Sequence, residues 1–418
     1  MNILMVLSSQ KYPPDRRVER EARDLIRDGH KVFLMARRGQ GQAAEEIIDG
    51  VHVIRVPLPF QHKRIMADLF YYLFQRYAIL FHILWGCRKH RFDALHVHDL
   101  PYALATSLAG KLLRIPVVFD MHEHYTVMLK MGFEAAAYQK FKRLAFLLLA
   151  LLRLEEKIAC RWSRKVIVVA DEQIARIEGL GKSRRDIVVV TNTEDSDYFG
   201  ALPVDETLVK SHHRRFTILY VGVLNPHRGL DTAIRAMPAV IKVIPTAKLM
   251  LVGEGVSRGE LEQLSQDLGL TECVTFAGFQ SFESLPTYIK LSKVCLIPHI
   301  STPHVETTMP NKIFQFMIVG KPVVVSDVRP MVRVVTDADC GLIFKDRDPQ
   351  SLAETIIQLQ DANLRRRLGQ NGKRAVKDRY NWQQTVQALL ELYRQGQSRR
   401  CDVPMPQNKT LGDTHVPF

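Results

Sequence analysis

Cysteine is scarce in this chain and nowhere paired. The six residues, at 87, 160, 273, 295, 340 and 401, are scattered without a CxxC spacing, which excludes a disulfide framework or a cysteine-based zinc site and suits reduced thiols in the cytosol. Long apolar runs are also missing. The two greasiest stretches, residues 65–85 and 141–158, are broken by Arg76 and Arg153, so neither supplies the ~20 apolar residues of a membrane span. The opening MNILMVLSS has no basic segment and no cleavage site, so no secretory leader is expected. Acidic residues fall short of basic ones, 44 against 58, for a net charge of +14. That surplus points to acidic partners such as phosphorylated substrates or anionic lipid headgroups. Nucleic acid is not among them, because no module of interleaved aromatic and basic residues is present.

What is present is a repeated alternation of strand and helix patterns. At 418 residues the chain exceeds one ordinary core and suits two domains. Residues 3–7, a helix over 18–28 stopped by Gly29, and residues 31–36 form a βαβ opening. Strand-like runs follow at 51–56, 94–97, 117–119, 166–169 and 187–190. Residues 201–215 are polar and aperiodic, as a linker would be. A second set of strands is predicted at 216–221, 248–252, 274–276, 294–297 and 323–325, with helices between them, as at 230–243 and 259–268. This is the pattern of parallel sheets covered on both faces. The expected organisation is an α/β chain of two doubly wound, Rossmann-like domains facing across a cleft. Their bounds are 1–200 and 216–378, with the linker between them. A closing helix over 379–396 follows, and then a polar, proline-containing tail over 397–418 expected to be disordered.

The segment ETTMPNKIFQFMIVGKPVVVS, residues 306–326, carries the first chemical signal. A polar loop leads into a helix from Asn311 to about Val319, Gly320 ends it, and a β-branched run follows. A helix start offers free N–H groups and partial positive charge, and Lys312 adds a full one. Such a place can hold phosphate, although loop–helix–strand is also ordinary α/β architecture.

The order and wording of the segments resembles the family 4 glycosyltransferases, nucleotide-sugar-dependent enzymes of the GT-B fold. The pieces are PPDRRVEREARDLIRDGHKVFLM (13–35), FDALHVHD (92–99), IPVVFDMHEHY (115–125) and ILYVGVLNPHRGLDTAIRAM (218–237). LMLVGEG (249–255), VTFAGF (274–279), LPTYIKLSKVCLIPH (285–299) and NKIFQFMIVGKPVVVSD (311–327) complete the series. The resemblance implies retention of anomeric configuration and a closing helix that crosses back to the first domain. It places the phosphate-binding cation at Arg228 in PHRGL, where arginine keeps the charge and adds a fork suited to phosphate. Lys312, Asn311 and Gly222 stand beside it. The family's second cation directly follows the glycine, but Val223 and Leu224 occupy that place here. His122 falls at the histidine that contacts the transferred sugar, with His96, His98 and His124 as competitors. Two glutamates eight residues apart form the family's donor signature. Here the second, which meets ribose hydroxyls, aligns with Gln315, and the first with Thr307 beside Glu306. Glutamine can still accept and donate at such a position. Asp15, Arg16 and Asp99 are expected on the acceptor side.

Two Asp-x-Asp triplets, 195–197 and 346–348, mimic the metal-binding spacing of another glycosyltransferase fold. Asp348 precedes Pro349 and an apolar-periodic helix and reads as an N-cap. No metal and no cofactor are expected, the cations serving instead. Gly253-Glu254-Gly255 lacks the third glycine of a dinucleotide fingerprint. The two greasy helices are flanked by basic residues, nine against three acids over 130–165. They suit either packing on the sheet or contact with an anionic membrane surface. The expected activity is sugar transfer from a nucleotide-diphosphate sugar to a hydroxyl, with a lipid-linked glycan for cell-surface polysaccharide as acceptor. The protein would lie in the cytoplasm or at the inner membrane face. A GT-B-fold nucleotide-sugar epimerase and a catalytically impaired nucleotide-sugar- or lipid-binding scaffold are the alternatives.

Overall fold

Runs of β-branched and aliphatic residues become strands here because both faces of each sheet are covered. The computed structural model describes residues 1–7, 12–57, 65–133 and 142–401. Basic residues 63 and 64, and part of the basic stretch at 134–141, lie outside the described residues, as does the tail from 402 onward. The first sheet is built from β1 (Asn2–Leu7), β2 (Lys31–Arg37), β3 (Glu45–Ile48), β4 (Val51–Val56), β5 (Ala94–His98), β6 (Val117–Met121), β7 (Lys165–Val168) and β8 (Ile187–Val189). Their order is β3-β4-β2-β1-β5-β6-β7-β8, all parallel except the β3–β4 pair. The second sheet takes β9 (Phe216–Val221), β10 (Ala247–Val252), β11 (Val274–Gly278), β12 (Val294–Ile297), β13 (Val323–Ser326) and β14 (Gly341–Phe344). It is wholly parallel, in the order β11-β10-β9-β12-β13-β14.

Each sheet separates two apolar layers. One face of the first packs Ile79, Ile83, Ala109, Leu152 and Cys160 from three helices. The other takes Val18, Ala22 and Leu25 of helix Arg16–Arg27 together with Trp382, Val386, Leu389 and Tyr393 of helix Trp382–Cys401. The last helix therefore lies on the first sheet and continues past 396 into the stretch expected to be disordered. Residues 201–215 also hold structure. Helix Glu206–Ser211 is tied to helix Leu285–Leu291 through Asp205 N–H to Thr287 Oγ1 (3.0 Å) and Lys290 to Glu206 (2.6 Å), so this part of the expected linker packs on the second unit.

Strand order decides where ligands go. In doubly wound sheets they bind beyond the carboxyl ends of strands, where the order reverses. The reversals fall between β1 and β5 in one sheet and between β9 and β12 in the other. The chain leaves β5 at His98, β9 at Val221 and β12 at Ile297, with β6 beside β5 in register His98↔Asp120. Asp99, His122 and Gly222 immediately follow β5, β6 and β9, and His299 comes two residues after β12.

Candidate active site

On the first unit the centre is His122, just beyond β6. Its Nε2 lies 3.0 Å from Asp120 Oδ2 and its Nδ1 3.4 Å from Asp99 Oδ2, while its backbone N–H donates to Asp99 Oδ1 (3.2 Å). Burial works against charge on this ring, but the two carboxylates outweigh it and raise the pKa to about 10. The side chain keeps 17% of its surface open. It is an imidazolium at neutral pH, with both N–H groups donating to carboxylates.

Beneath it lies a layer of buried charge. Asp120 is fully buried and accepts from the Arg17 guanidinium at 3.2–3.3 Å, while Arg17 also donates to the Val190 carbonyl (3.0 Å) and pairs with Glu21 (3.0 Å). His96 and His98 stack at 4.4 Å between centroids, and His98 Nδ1 meets His122 Nε2 at 3.3 Å. From the last helix, the Tyr393 hydroxyl reaches His96 Nδ1 (2.9 Å). Among the described residues, Glu21, His96, His98 and Asp120 form one group whose ligand atoms all lie within 4.8 Å. The Arg17 guanidinium already sits against both of its carboxylates, so the group has its cation. Burial raises the Glu21 carboxyl to about 8, against the pull of Arg17.

The other expected acceptor-side residues are otherwise engaged. Asp15 caps helix Arg16–Arg27 by accepting from Val18 N–H (3.2 Å), and its own N–H donates to Glu19 (2.9 Å). Arg16 turns to the second unit, pairing with Glu283 at 3.1 Å and lying 3.2 Å over the Phe282 ring. Asp99 serves His122. His124 faces the Pro303 carbonyl of the second unit at 3.4 Å.

On the second unit the structure gathers Gly222, Arg228 and Lys312. Lys312 is buried, donates from Nζ to the Val221 carbonyl (2.5 Å) and lies 4.4 Å from the Tyr220 ring centre. A Cβ on Gly222, whose φ is +139°, would land on that Nζ, so only glycine fits. Arg228 ends a single turn, Pro226–Arg228, and the Gly229 that follows is pressed against the Pro298 carbonyl. Its Nη1 lies 3.0 Å from His299 Nε2. His227 and His304 stand edge to face, 6.3 Å apart. These three histidines are absent from the sequence expectations, although PHRGL and LIPHISTPHVE display them. A histidine is read as a site residue only when strand ends known to meet bring it beside others.

The electrostatics of this cluster are one-sided. Burial, with Arg228 adding, depresses Lys312 well below the ordinary lysine range. Burial lowers His227 and His304 to about 4, Arg228 again contributing, and depresses His299 well below the ordinary histidine range. No carboxylate contributes to any of these four shifts. Glu123 of the first unit is an acid whose titration registers the Arg228 charge.

The expected donor-signature positions point elsewhere. Glu306 accepts from Ser301 Oγ (2.6 Å) and from Arg329 Nε (2.9 Å). The Thr307 hydroxyl donates to the carbonyls of Pro303 (2.9 Å) and His304 (3.1 Å). Gln315, buried, donates to Glu194 of the first unit (2.8 Å), which also pairs with Arg20 (2.7 Å). Asn311 precedes helix Lys312–Val319, and no side chain caps that helix start. Asp348 caps helix Pro349–Gln358 through Ser351 N–H (3.0 Å), and Asp195 caps helix Ser196–Gly200 through Tyr198 N–H (3.1 Å).

Two doubly wound units of this kind have the GT-B fold that solved glycosyltransferases share. Residues 14–193 match the glycosyl transferase 4-like domain model, and residues 207–375 match that of the glycosyl transferases group 1. Between them these models take in the greater part of the chain, which belongs to the family-4-like GT-B glycosyltransferases. The chain is 26% identical over 310 residues, 72% of its length and 73% of the relative's, to the phosphatidyl-myo-inositol mannosyltransferase of Mycobacterium leprae. Sucrose-phosphate synthase of Thermosynechococcus elongatus superposes with a TM-score of 0.76 at 20% identity, covering 96% of this chain and all of that one. The Anabaena protein HepE, solved in complex with UDP-glucose, does so with 0.69 at 17% identity over 94% and 100%.

Proposed function

We propose that this glycosyltransferase takes its sugar from a nucleotide-diphosphate sugar and passes it, with retention and without a metal, to a hydroxyl of a lipid-linked acceptor. The observation that carries the donor assignment is the convergence of Arg228, Lys312, His227, His299 and His304 at the strand ends of the second unit. As the bond from the sugar's anomeric carbon to the diphosphate oxygen breaks, negative charge grows on the leaving phosphate. Arg228 as a fixed cation, with Lys312 and the histidines as groups that take up protons when an anion arrives, lowers the barrier more than it stabilises the intact donor. The acceptor oxygen forms the new bond to the anomeric carbon, and its proton leaves with the diphosphate. UDP-glucose in HepE supports this donor class. His122, its two N–H groups held by Asp99 and Asp120, acts on the sugar side through its fixed positive charge.

The acceptor reading rests on two helices of the first unit. Phe74, Tyr77, Phe81 and Trp85 are all more than half exposed and recur at helical spacing along Ile65–His90. Phe146, Leu147, Leu151 and Leu154 are likewise exposed along Lys142–Trp162, and an Arg76–Glu155 ion pair ties the helices together. Arg88, Arg143, Arg153 and Lys157 are exposed on the same helices. Apolar stripes flanked by cations suit an anionic bilayer surface, and no helix among the described residues is long and apolar enough to cross it. The lipid in the mycobacterial relative's name is of the same kind. Cell-surface glycan assembly at the inner membrane face follows from that acceptor.

Purified protein incubated with UDP-, GDP- and ADP-sugars and membrane lipid extract tests the reading. Nucleotide release with a new glycoside in the lipid fraction is expected. Epimerised donor without a glycoside would replace transfer with epimerisation, and donor binding without turnover would leave a scaffold.

A further inference from the structure

Basic residues also converge where the transfer site has no use for them. At the opposite end of the first sheet, where β5, β6 and β7 begin, a cavity of about 700 Å³ opens between the sheet and the last helix. Arg114, Arg164, Lys165 and Arg185 line it, with Asp186 as the one acid. A neighbouring hollow of about 330 Å³ shares Arg114 and Arg164 and adds Lys111. Lys165 is answered by Asp186 (3.1 Å) and the Arg185 carbonyl (2.7 Å). The side chains of Arg114, Arg164 and Arg185 have no hydrogen-bond or ion-pair partner among the described residues. The field registers on a neighbour: Lys182, mostly buried and bonded to the Ser163 carbonyl, has its pKa lowered first by burial, with Lys165 and Lys111 adding and Asp186 opposing.

Three unanswered guanidiniums around one concavity repel each other and focus positive potential into it. Each is a planar fork matched to phosphate oxygens. Leu392 and Tyr393 of the last helix supply an apolar wall, and the volume falls in the range of small-molecule sites, about 300–1,000 Å³. A bare ion would leave most of it empty.

We propose that this cavity is a second anion site, separate from the donor cleft, that takes a small phosphorylated molecule: a phosphate or diphosphate carried on a body of sugar or nucleoside size. The site lies at the amino ends of the strands whose carboxyl ends carry His98 and His122, so one ligand cannot fill both.

Calorimetric titration of inorganic pyrophosphate into the full chain at low salt tests it. Two sites per chain are expected. Arg228→Ala should remove one, and Arg164→Glu with Arg185→Glu should remove the other, each set leaving the remaining affinity within about threefold. Arg164→Gln alone should weaken the second site about tenfold, a loss of one guanidinium–phosphate contact. These side chains are exposed, and unchanged melting temperatures verify that the variants stay folded. A single site in the wild type, or two sites surviving the double charge reversal, overturns the proposal. Phosphatidylglycerol vesicles added to the Arg228→Ala protein separate the sources. Retention of bound pyrophosphate supports a free phosphorylated molecule, whereas displacement overturns that choice in favour of a lipid headgroup.

Discussion

At the scale of the residue, His122 shows how environment sets chemistry. Asp99 and Asp120 hold it protonated with a pKa of about 10, above its unfolded value near 6.5. Such a group contributes stability that is fully present below pH 6.5 and is lost as pH rises through about 10. His122→Asn should therefore cost the most stability near pH 6.5, and the gap to the wild type should narrow by pH 10. Denaturant melts of both proteins across that range check this; a constant gap would mean the ring is neutral when folded. Transfer should fall about 100-fold or more in the same variant, as for loss of a charge-stabilising donor. His122, Arg228 and Lys312 were all legible in the sequence because each stands in a recognisable motif. Arg17 and Asp120 lay inside quoted motifs but were not singled out. A buried pair more than 100 positions apart leaves no local trace.

At the scale of the element, the helix Lys312–Val319 does two jobs from one face. Lys312 reaches the end of β9, and Gln315, one turn on, reaches Glu194 across the unit boundary. The family resemblance sets a glutamate at this position, and in this chain Gln315→Glu exchanges a donor for a second buried carboxylate beside Glu194. The variant should lose about 2–4 kcal/mol of stability, and Glu194→Gln in the same chain should restore most of it. An additive, unrescued loss in the double-mutant cycle would remove the contact from the account. Strand identity was legible because strands covered on both faces are uniformly apolar. The exceptions, β3 (EEII) and β14 (GLIF), are four-residue edge strands that bury one residue between them. The two exposed stripes form an element-scale prediction of their own. Phe81→Ser with Trp85→Ser should weaken binding to phosphatidylglycerol vesicles about tenfold or more, and raised salt should weaken the wild type. Sedimentation showing equal binding would sink the membrane reading.

At the scale of the molecule, the two units meet through charges from both. Arg16 reaches Glu283, Arg333 reaches Glu172 (2.7 Å), and Arg20 and Gln315 share Glu194. The two-unit architecture was legible from alternation alone, but these contacts were not, since each joins residues far apart in sequence. They explain why Arg16, expected toward an acceptor, faces Phe282 instead. The basic surplus likewise resolves into separate places: the donor cluster, the apolar helices of the first unit, and the cavity beneath its sheet.

The central claim is that Arg228, Lys312 and the three histidines await a diphosphate. Lys312 and the three histidines are held below their ordinary pKa by burial and positive charge. An arriving anion removes the repulsion, raises their pKa values and draws protons from solution. Calorimetry of UDP and GDP binding at pH 7.5, in buffers of different ionisation enthalpy, measures this directly. The account predicts uptake of about one proton with binding of at least one of the two nucleotides, no uptake in Lys312→Met, and at least tenfold weaker binding in Arg228→Ala. Binding without proton uptake, or with Arg228→Ala indistinguishable from the wild type, would contradict it.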